Sequence, residues 1–187
     1  MDREKMAQAV HAFLEAIGKA DSPGVGRTPE RVAQAWYEDL VSGYRIDPDE
    51  ILTWTPVATG GGVVIVRDVS FASICAHHLL PFSGRAHVAY LPGERLAGLS
   101  KIGRVVDAHA RRLQTQENLT AGVADTLQKN LEPRGVLVIV RAEHTCMSLR
   151  GVRKEQAEMI TVENRGVYRD DPAMRSDVLS MLRDGAA

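Results

Sequence analysis

Apolar residues recur at intervals of three and four between residues 5 and 17, which predicts an amphipathic helix at the start of the chain. Turn-forming residues follow. Thr28 then precedes Pro29, a pairing typical of a helix start, with Thr28 as the N-cap and proline at the first helical position. This second helix is predicted to end near Gly43. The first third of the chain is therefore predicted to be helical.

The pattern changes from helical to β-type at residue 63. Short runs rich in β-branched residues predict strands over residues 63–66, 69–74, 85–91, 136–141 and 159–162. The first two strands lead into a loop that carries a cysteine and two histidines. The remaining runs are bounded by glycine, proline or charged residues, as strand ends commonly are.

Three further helices are predicted among these strands. Ser100 is expected to cap the first helix, the second begins at about Thr115, and Asp171-Pro172 begins a short closing helix. The predicted order is α-α, β-β-β, α-α, β-β, α, which indicates the α+β class. We expect one domain over residues 1–187, with an N-terminal helical part (1–58) and a second part (59–187) that carries the chemistry.

Composition narrows the possible functions. The chain has 187 residues, of which 44% are hydrophobic and 25% charged, as in a globular domain with a sizeable core. Its formal net charge of −1 gives no reason to expect nucleic acid or an anionic membrane as a partner. The amino terminus is charged and no apolar run reaches the length of a membrane span, so a cytoplasmic location is the default expectation.

Both cysteines and three of the six histidines lie in two short segments, Cys75-Ala-His77-His78 and His144-Thr-Cys146. Two thiolates and one imidazole are enough to hold a zinc ion, with a fourth position left for water, as in catalytic sites. His77 and His144 would then lie beside the metal without being needed as ligands. The alternative is two buried thiols that only pack. Spare imidazoles next to a metal favour hydrolytic chemistry.

These segments belong to a larger set of motifs that occur in the order seen in a known enzyme family. The motifs are Ser73-Ile-Cys75-Ala-His77-His78, Gly98-Leu-Ser100-Lys101-Ile-Gly-Arg104, Gln116-Glu117-Asn-Leu-Thr and His144-Thr-Cys146-Met-Ser-Leu-Arg150-Gly-Val-Arg153. Through them the chain resembles GTP cyclohydrolase I over roughly residues 28–183.

The resemblance implies a fold, an assembly and a metal site. The family has the tunnelling fold, in which antiparallel sheets with helices on one face join across subunits, and it forms homodecamers with active sites between subunits. Cys75, His78 and Cys146 match the family's zinc ligands. His77 and His144 match its catalytic imidazoles. The implied reaction is hydrolysis of the guanine imidazole ring of GTP, with release of formate and formation of 7,8-dihydroneopterin triphosphate.

The resemblance also implies how the substrate is bound. Glu117 matches the carboxylate that binds guanine, and Gln116 is a second polar contact. A larger group matches the positions that bind the triphosphate: Ser100, Lys101, Arg104 and Arg150. Arg31 is a further candidate for anion binding from a neighbouring subunit. The alternative for each of these residues is a solvent-exposed side chain that has no role in binding.

The sequence departs from the family pattern at two positions near the site. Ala76 stands where most members have glutamate, and Asn118 where they usually have arginine. Two alternatives to the full reaction therefore stay open. One is a diverged cyclohydrolase that stops at the ring-opened formamide or takes a modified guanine nucleotide. The other is a non-catalytic decamer that binds guanine nucleotides. A related nitrile reductase is disfavoured, because both cysteines match metal positions.

Overall fold

The computed structural model describes residues 1–57 and 61–183. Its N-terminal part is helical, with α1 at Arg3–Ala16 and α2 at Thr28–Ala35. The predicted continuation of α2 to near Gly43 is helical but not α-helical, because the helix widens into a π-turn at Trp36–Leu40 and the chain then tightens into a 3₁₀ turn at Ser42–Arg45. A Cβ on Gly43 would lie 2.4 Å from the Ala108 carbonyl oxygen, so this turn packs directly against a later helix.

The remaining elements include seven strands and five α-helices within the described residues. The strands are β1 (Trp54–Pro56), β2 (Val64–Cys75), β3 (Pro81–Leu91), β4 (Arg95–Ala97), β5 (Leu113–Gln114), β6 (Gly135–His144) and β7 (Glu158–Gly166). The helices are α3 (Leu99–Ala110), α4 (Gln116–Leu131), α5 (Thr145–Ser148), α6 (Val167–Asp170) and α7 (Pro172–Arg183). The α+β class is confirmed. None of the helices within the two described ranges combines the length and apolarity needed to cross a membrane.

Five strands form the main sheet in the order β5-β2-β3-β6-β7, and β1 pairs with β4 in a separate ribbon. The pairs β2–β3, β3–β6 and β6–β7 are antiparallel, but β5 pairs parallel to β2 through Leu113 and Gln114. The expectation of a wholly antiparallel sheet is therefore wrong at this edge. The two-residue β5 is too short to leave a periodic signal in the sequence.

The predicted strands over 63–66 and 69–74 are one strand with an irregularity. In β2 the register with β3 shifts between Val66 and Val69, and Asp68 has a φ of 58°. A bulge of this kind interrupts the alternation of apolar and polar residues without ending the strand. The interruption in the sequence pattern therefore marks a bulge.

The core lies mainly between the sheet and helices α3 and α4. Val88, Val138 and Val140 point from β3 and β6 to this side and are fully buried, as are Leu119 and Leu127 of α4. Residues on β2, including Phe71 and Cys75, complete the same cluster. Burial on the order of 1.5–3 kcal/mol for each large side chain makes this layer the main source of stability.

A second, smaller core lies on the opposite face of the sheet. There Leu137 of β6 and Ala89 of β3 pack with Tyr168 of α6 and with Val178 and Leu182 of α7. The expectation that helices cover only one face is therefore wrong. Leu137 alternates with Val136 and Val138 along β6, and all three are buried, so this part of the strand needs a cover on both faces.

Of the helix starts predicted at Thr28, Ser100 and Thr115, the first two are shifted by one or two residues. Thr28 is the first residue of α2 and follows the N-cap Arg27, while Pro29 lies in the first turn as expected. Ser100 is not the N-cap of α3. The helix begins at Leu99, and its N-cap is Gly98, which has an extended backbone. Thr115 does cap α4, and its side-chain oxygen accepts a hydrogen bond from the Asn118 N–H.

Gly84 allows the close approach of β3 and β6, and its replacement tests this contact. A Cβ at position 84 would lie 1.8 Å from the Arg141 carbonyl oxygen, which is part of the β6 backbone and cannot move independently. We expect Gly84→Ala to lower the free energy of unfolding by about 3 kcal/mol or more. Gly26→Ala is the control, because a Cβ there meets nothing within 4 Å. Chemical denaturation of both variants measures the difference, and equal stabilities would contradict the assignment.

Candidate metal centre and its surroundings

The sheet brings the two cysteine segments to one end of the molecule. Cys75 is the last residue of β2, and Cys146 lies in α5, directly after β6. Strand β3 runs between them, with Pro81 opposite Ile74 and Phe82 opposite His144. Because neighbouring strands lie about 4.8 Å apart, this register brings Cys75 and Cys146 to the same end of the sheet, on the two strands that flank β3.

A tight turn folds the histidine pair back onto Cys75. The Leu79 N–H donates to the Cys75 carbonyl oxygen at 2.9 Å, and the Cys75 N–H donates to the Leu80 carbonyl oxygen at 2.8 Å. Leu79 has a φ of 55°, the left-handed conformation that reverses the chain. His77 and His78 lie on this turn with exposed side chains, and their ring planes are inclined by 79°.

Cys75, His78 and Cys146 form a cluster that fits a metal ion. Their ligand atoms all lie within 4.8 Å of one another, and both thiols are free. The Cys75 Sγ lies 3.7 Å from the His78 Nδ1. Metal–sulfur and metal–nitrogen bonds of the usual lengths for zinc would span roughly 3.6 Å at a tetrahedral angle. The donor set and its spacing therefore suit a tetrahedral metal with one position left open.

Electrostatics at Cys146 favour a cation. Burial raises the pKa of the Cys146 thiol, and the nearby Cys75 sulfur raises it further. Two thiolates this close repel each other unless a cation lies between them, and a metal ion deprotonates the thiols that bind it. Metal binding at this cluster should therefore release protons.

His144 is held on two sides by residues from the sheet and α4. Its ring stacks on Phe82 with centroids 4.4 Å apart and planes inclined by 5°. Its Nε2 lies 2.9 Å from the Gln116 Oε1. Burial lowers the pKa of His144, and the charge of Glu117 partly opposes this. The imidazole is therefore neutral near pH 7 and close to a carboxylate.

Gln116 and Glu117 begin α4 but differ sharply in exposure. Gln116 is 1% exposed, and its side-chain N–H groups donate to the Val140 and Met159 carbonyl oxygens, both at 3.0 Å. Its side chain is thus engaged within the chain, and its predicted contact with substrate stays a prediction. Glu117 is exposed in the first turn, where a carboxylate can face a ligand.

The residues matched to triphosphate binding do not all lie near the cluster. Arg150 follows Cys146 closely, and its charge acts on the Cys146 thiol. Lys101 and Arg104 lie instead in the first half of α3, where the Cβ direction of Gly103 points at Val69 of β2. Val69 is six residues from Cys75 along a strand, or roughly 20 Å. Ser100 is at the same far end of α3, and Arg31 is exposed on α2.

A wide groove among the described residues does not include the ligand cluster. It encloses about 1170 Å³ on the sheet face opposite α3 and α4, and Arg85, His87 and Arg141 are among its lining residues. Neither cysteine lines it. The position of the ligand set, rather than the size of this groove, identifies the candidate site, because the donor atoms converge there.

Phe82 and Thr161 are parts of this site that sequence reasoning missed. Phe82 is 1% exposed beneath His144, and the Thr161 hydroxyl lies 3.1 Å from the Gln116 Nε2. The one sequence signal for Phe82 is an aromatic residue shortly after the His78 turn, but it lies outside the strand predicted over residues 85–91. Thr161 carries no such signal, because its role depends on the pairing of β6 with β7.

A mixed sheet with a three-ligand cluster, neighbouring imidazoles and a carboxylate at one end defines an α+β protein with a candidate catalytic metal centre. The chain belongs to the GTP cyclohydrolase I family, whose sequence profile matches residues 6–183. It is therefore an enzyme, a hydrolase that acts on GTP.

Full-length relatives agree with this assignment. The GTP cyclohydrolase 1 of Streptococcus agalactiae is 45% identical over 98% of this chain and 99% of its own. The Leptospira biflexa protein of the same name is 43% identical over 97% of this chain and 100% of its own. Among solved structures, an apo archaeosine synthase QueF-Like matches 58% of this chain and 97% of its own, with a TM-score of 0.49 and 18% identity.

Replacing a ligand of the cluster should release the metal. Cys146→Ser and His78→Ala each leave two donors, so we expect bound metal to fall from about one per chain to a small fraction of that. Elemental analysis of the purified variants measures it. His11→Ala is the control, since His11 lies on α1 and pairs with Glu15. Full metal content in either ligand variant would rule out the cluster.

Proposed function

We propose that this enzyme opens the guanine imidazole ring of GTP by zinc-dependent hydrolysis, releases formate, and yields 7,8-dihydroneopterin triphosphate. The observation that carries the proposal is the convergence of the Cys75, His78 and Cys146 ligand atoms within 4.8 Å. His144 lies next to this cluster, and the charge of Glu117 acts on it. Family membership supplies the substrate, and this geometry supports the reaction.

The donor set supports zinc as the metal. Two thiolates and an imidazole form a soft to borderline site, which suits zinc better than magnesium or calcium. Three protein ligands leave one position open, as catalytic zinc sites do. When bound, zinc supplies the Lewis acidity that makes water a nucleophile near neutral pH.

Glu117 is the residue that would select guanine. A carboxylate accepts hydrogen bonds from N1–H and the exocyclic amine of guanine together, a pattern that adenine does not offer. Glu117 is exposed in the first turn of α4, and Gln116 before it is pinned to the sheet. The backbone that carries Glu117 is therefore fixed with respect to the metal ligands.

His77 and His144 would move protons on the two sides of the cluster. The His77 Nδ1 lies 4.0 Å from the Cys75 Sγ, on an exposed turn that substrate can reach. We assign to His77 the role of donating a proton to N7 of guanine as the imidazole ring of the substrate opens. His144 is held by Phe82 and Gln116 and would serve the later proton transfers, when the ribose rearranges.

The assembly proposed is a homodecamer with the tunnelling fold, in which sheets join across subunits. Two long sheet edges support it. Among the residues that the structure describes, β7 pairs only with β6, and β2 beyond its two-residue contact with β5 pairs only with β3. Such edges are usually paired or covered in a stable protein. Joining the β7 edge of one copy to the β2 edge of another would satisfy both.

Assembly would also complete the substrate site. Ser100, Lys101 and Arg104 lie at the end of α3 that is far from the ligand cluster of the same chain. The start of a helix offers backbone N–H groups and a positive dipole to phosphate. We propose that this end of α3 binds the triphosphate of a GTP molecule held by the metal cluster of a neighbouring subunit.

A second candidate is a diverged cyclohydrolase that stops at the ring-opened formamide, and Ala76 favours it. Ala76 is exposed beside Cys75, and its N–H donates to the Gln114 carbonyl oxygen at 3.0 Å. The family's usual glutamate at this position could hold a water or a protonated imidazole near the metal. Alanine cannot.

Incubation of the purified protein with GTP tests the proposed function. We expect formate and dihydroneopterin triphosphate in equal amounts, identified by mass spectrometry. Accumulation of the formamide would favour the diverged enzyme instead. Tight GTP binding without any product would favour a nucleotide-binding decamer, and the measured mass of the particle tests the assembly separately.

Loss of the Glu117 carboxylate should weaken guanine binding without disturbing the metal. Because hydrogen bonds to a charged group contribute about 1.5–3 kcal/mol, we expect Glu117→Gln to raise the Kd for GTP about 10- to 100-fold. Calorimetry measures affinity and elemental analysis measures zinc. Glu94→Gln is the control, because Glu94 is exposed in the turn before β4. An unchanged Kd would remove Glu117 from recognition.

Restoring a carboxylate at position 76 tests the significance of the alanine. We expect Ala76→Glu to increase the rate of pterin formation several-fold, up to about 10-fold, because a carboxylate beside the metal ligands supports proton transfer. Steady-state kinetics with GTP measures it, and Ala76→Gln controls for side-chain size. Rapid complete turnover by the unmodified protein, with no gain in the variant, would show that the alanine is neutral.

A further inference from the structure

A buried polar network joins α4 to the two strands β6 and β7 directly behind His144. Its centre is the Gln116 side chain, which is 1% exposed. The Gln116 Nε2 lies 3.0 Å from both the Val140 and the Met159 carbonyl oxygens and 3.1 Å from the Thr161 hydroxyl. The Gln116 Oε1 lies 2.9 Å from the His144 Nε2.

The hydroxyl groups of this network have a fixed direction. The Thr120 hydroxyl donates to the Gln116 carbonyl oxygen at 2.7 Å, which uses its only hydrogen. The Thr161 hydroxyl, 2.6 Å from that of Thr120, must therefore donate to it. Having given up its own hydrogen, Thr161 can only accept from Gln116.

Three acceptors therefore surround one end of the Gln116 amide. The carbonyl oxygens of Val140 and Met159 cannot donate, and Thr161 has no hydrogen left to offer. Turning the amide over would place its oxygen against all three, which is costly in a buried site. The amide nitrogen thus faces the strands and the amide oxygen faces His144.

This orientation dictates which ring nitrogen of His144 carries the proton. An amide oxygen only accepts, so the Nε2 of His144 must be the N–H donor. In a neutral imidazole the proton is then absent from Nδ1, which keeps its lone pair. The His144 ring stacks on Phe82 with the two planes inclined by 5°, and this contact restricts rotation of the imidazole about its side-chain bonds.

We propose that Gln116 is a positioning residue that holds His144 as its Nε2–H tautomer, so that Nδ1 is the atom that accepts and returns a proton. This inference rests on the proposed role of His144 in proton transfer. A proton taken from substrate forms a bond to the Nδ1 lone pair and gives an imidazolium ion. The Nε2–H bond to Gln116 persists throughout, and return of the same proton from Nδ1 restores the neutral ring.

Neutron crystallography of the deuterated, zinc-loaded enzyme tests the tautomer without any variant. At about pH 8, well above the ordinary pKa of an imidazole, a single deuteron should be found on the His144 Nε2 and none on Nδ1. The amide deuterons of Gln116 should point to Val140 and Met159. A deuteron on Nδ1 with a bare Nε2 would overturn the proposal.

Gln116→Met tests the catalytic consequence. Methionine has a similar length but cannot accept from Nε2, so the ring is free to populate both tautomers. We expect kcat for GTP to fall about 10²-fold or more, with KM and zinc content unchanged. Thr126→Val is the control for lost stability, because it removes a hydrogen bond from α4 to a different histidine, His109, at 2.9 Å. It should keep normal kcat.

The outcomes separate this inference from the proposed function. A normal kcat in a folded, zinc-loaded Gln116→Met enzyme would overturn the positioning role, even with GTP hydrolysed as proposed. A raised KM with unchanged kcat would mean that Gln116 contacts substrate, and would also overturn it. If the unmodified enzyme releases no formate from GTP, the proposed function fails, and the neutron experiment still decides the tautomer.

Discussion

The register of β3 between β2 and β6 is the constraint on which the site depends. It places the end of β2, with Cys75, beside the end of β6, which leads to His144 and Cys146. A slip of one residue would turn every side chain of a strand to the other face. It would exchange Val138 and Val140, buried beneath α3 and α4, for residues of the opposite face. Core packing thus fixes the positions of the candidate metal ligands.

Gln116 connects that packing to the chemistry. A buried amide is costly unless its hydrogen bonds are made, and here β6, β7 and His144 supply all of its partners. The same contacts anchor the start of α4, so that Glu117 and His144 keep a constant separation. A preorganised arrangement of this kind avoids reorganisation during the reaction. The buried Gln116 amide therefore serves to hold Glu117 and His144 in position.

Much of this could be predicted from the sequence, and the exceptions share a cause. Local patterns were sufficient for α1, α4 and the presence of the long strands β2, β3, β6 and β7. The cysteine and histidine motifs were sufficient to single out the three residues whose ligand atoms converge, Cys75, His78 and Cys146. The bulge at Asp68, the parallel pairing of β5 and the cover of Leu137 by α7 depend on contacts between segments far apart in sequence. The internal hydrogen bonds of Gln116 could not be predicted for the same reason, since its acceptors lie on β6 and β7. Periodicity carries no information about such contacts.

The isolated chain leaves apolar side chains exposed beside a polar site. Leu79 is 54% exposed on the histidine turn, and Leu149 and Val152 are 73% and 66% exposed in the segment after Cys146. Large apolar groups clustered near a functional site are typical of an interaction surface. A neighbouring copy that covered them would exclude water around the ligand cluster and strengthen the charge interactions of Glu117 and Arg150 there. The contacts that stabilise an assembly would then be the same contacts that make the site effective.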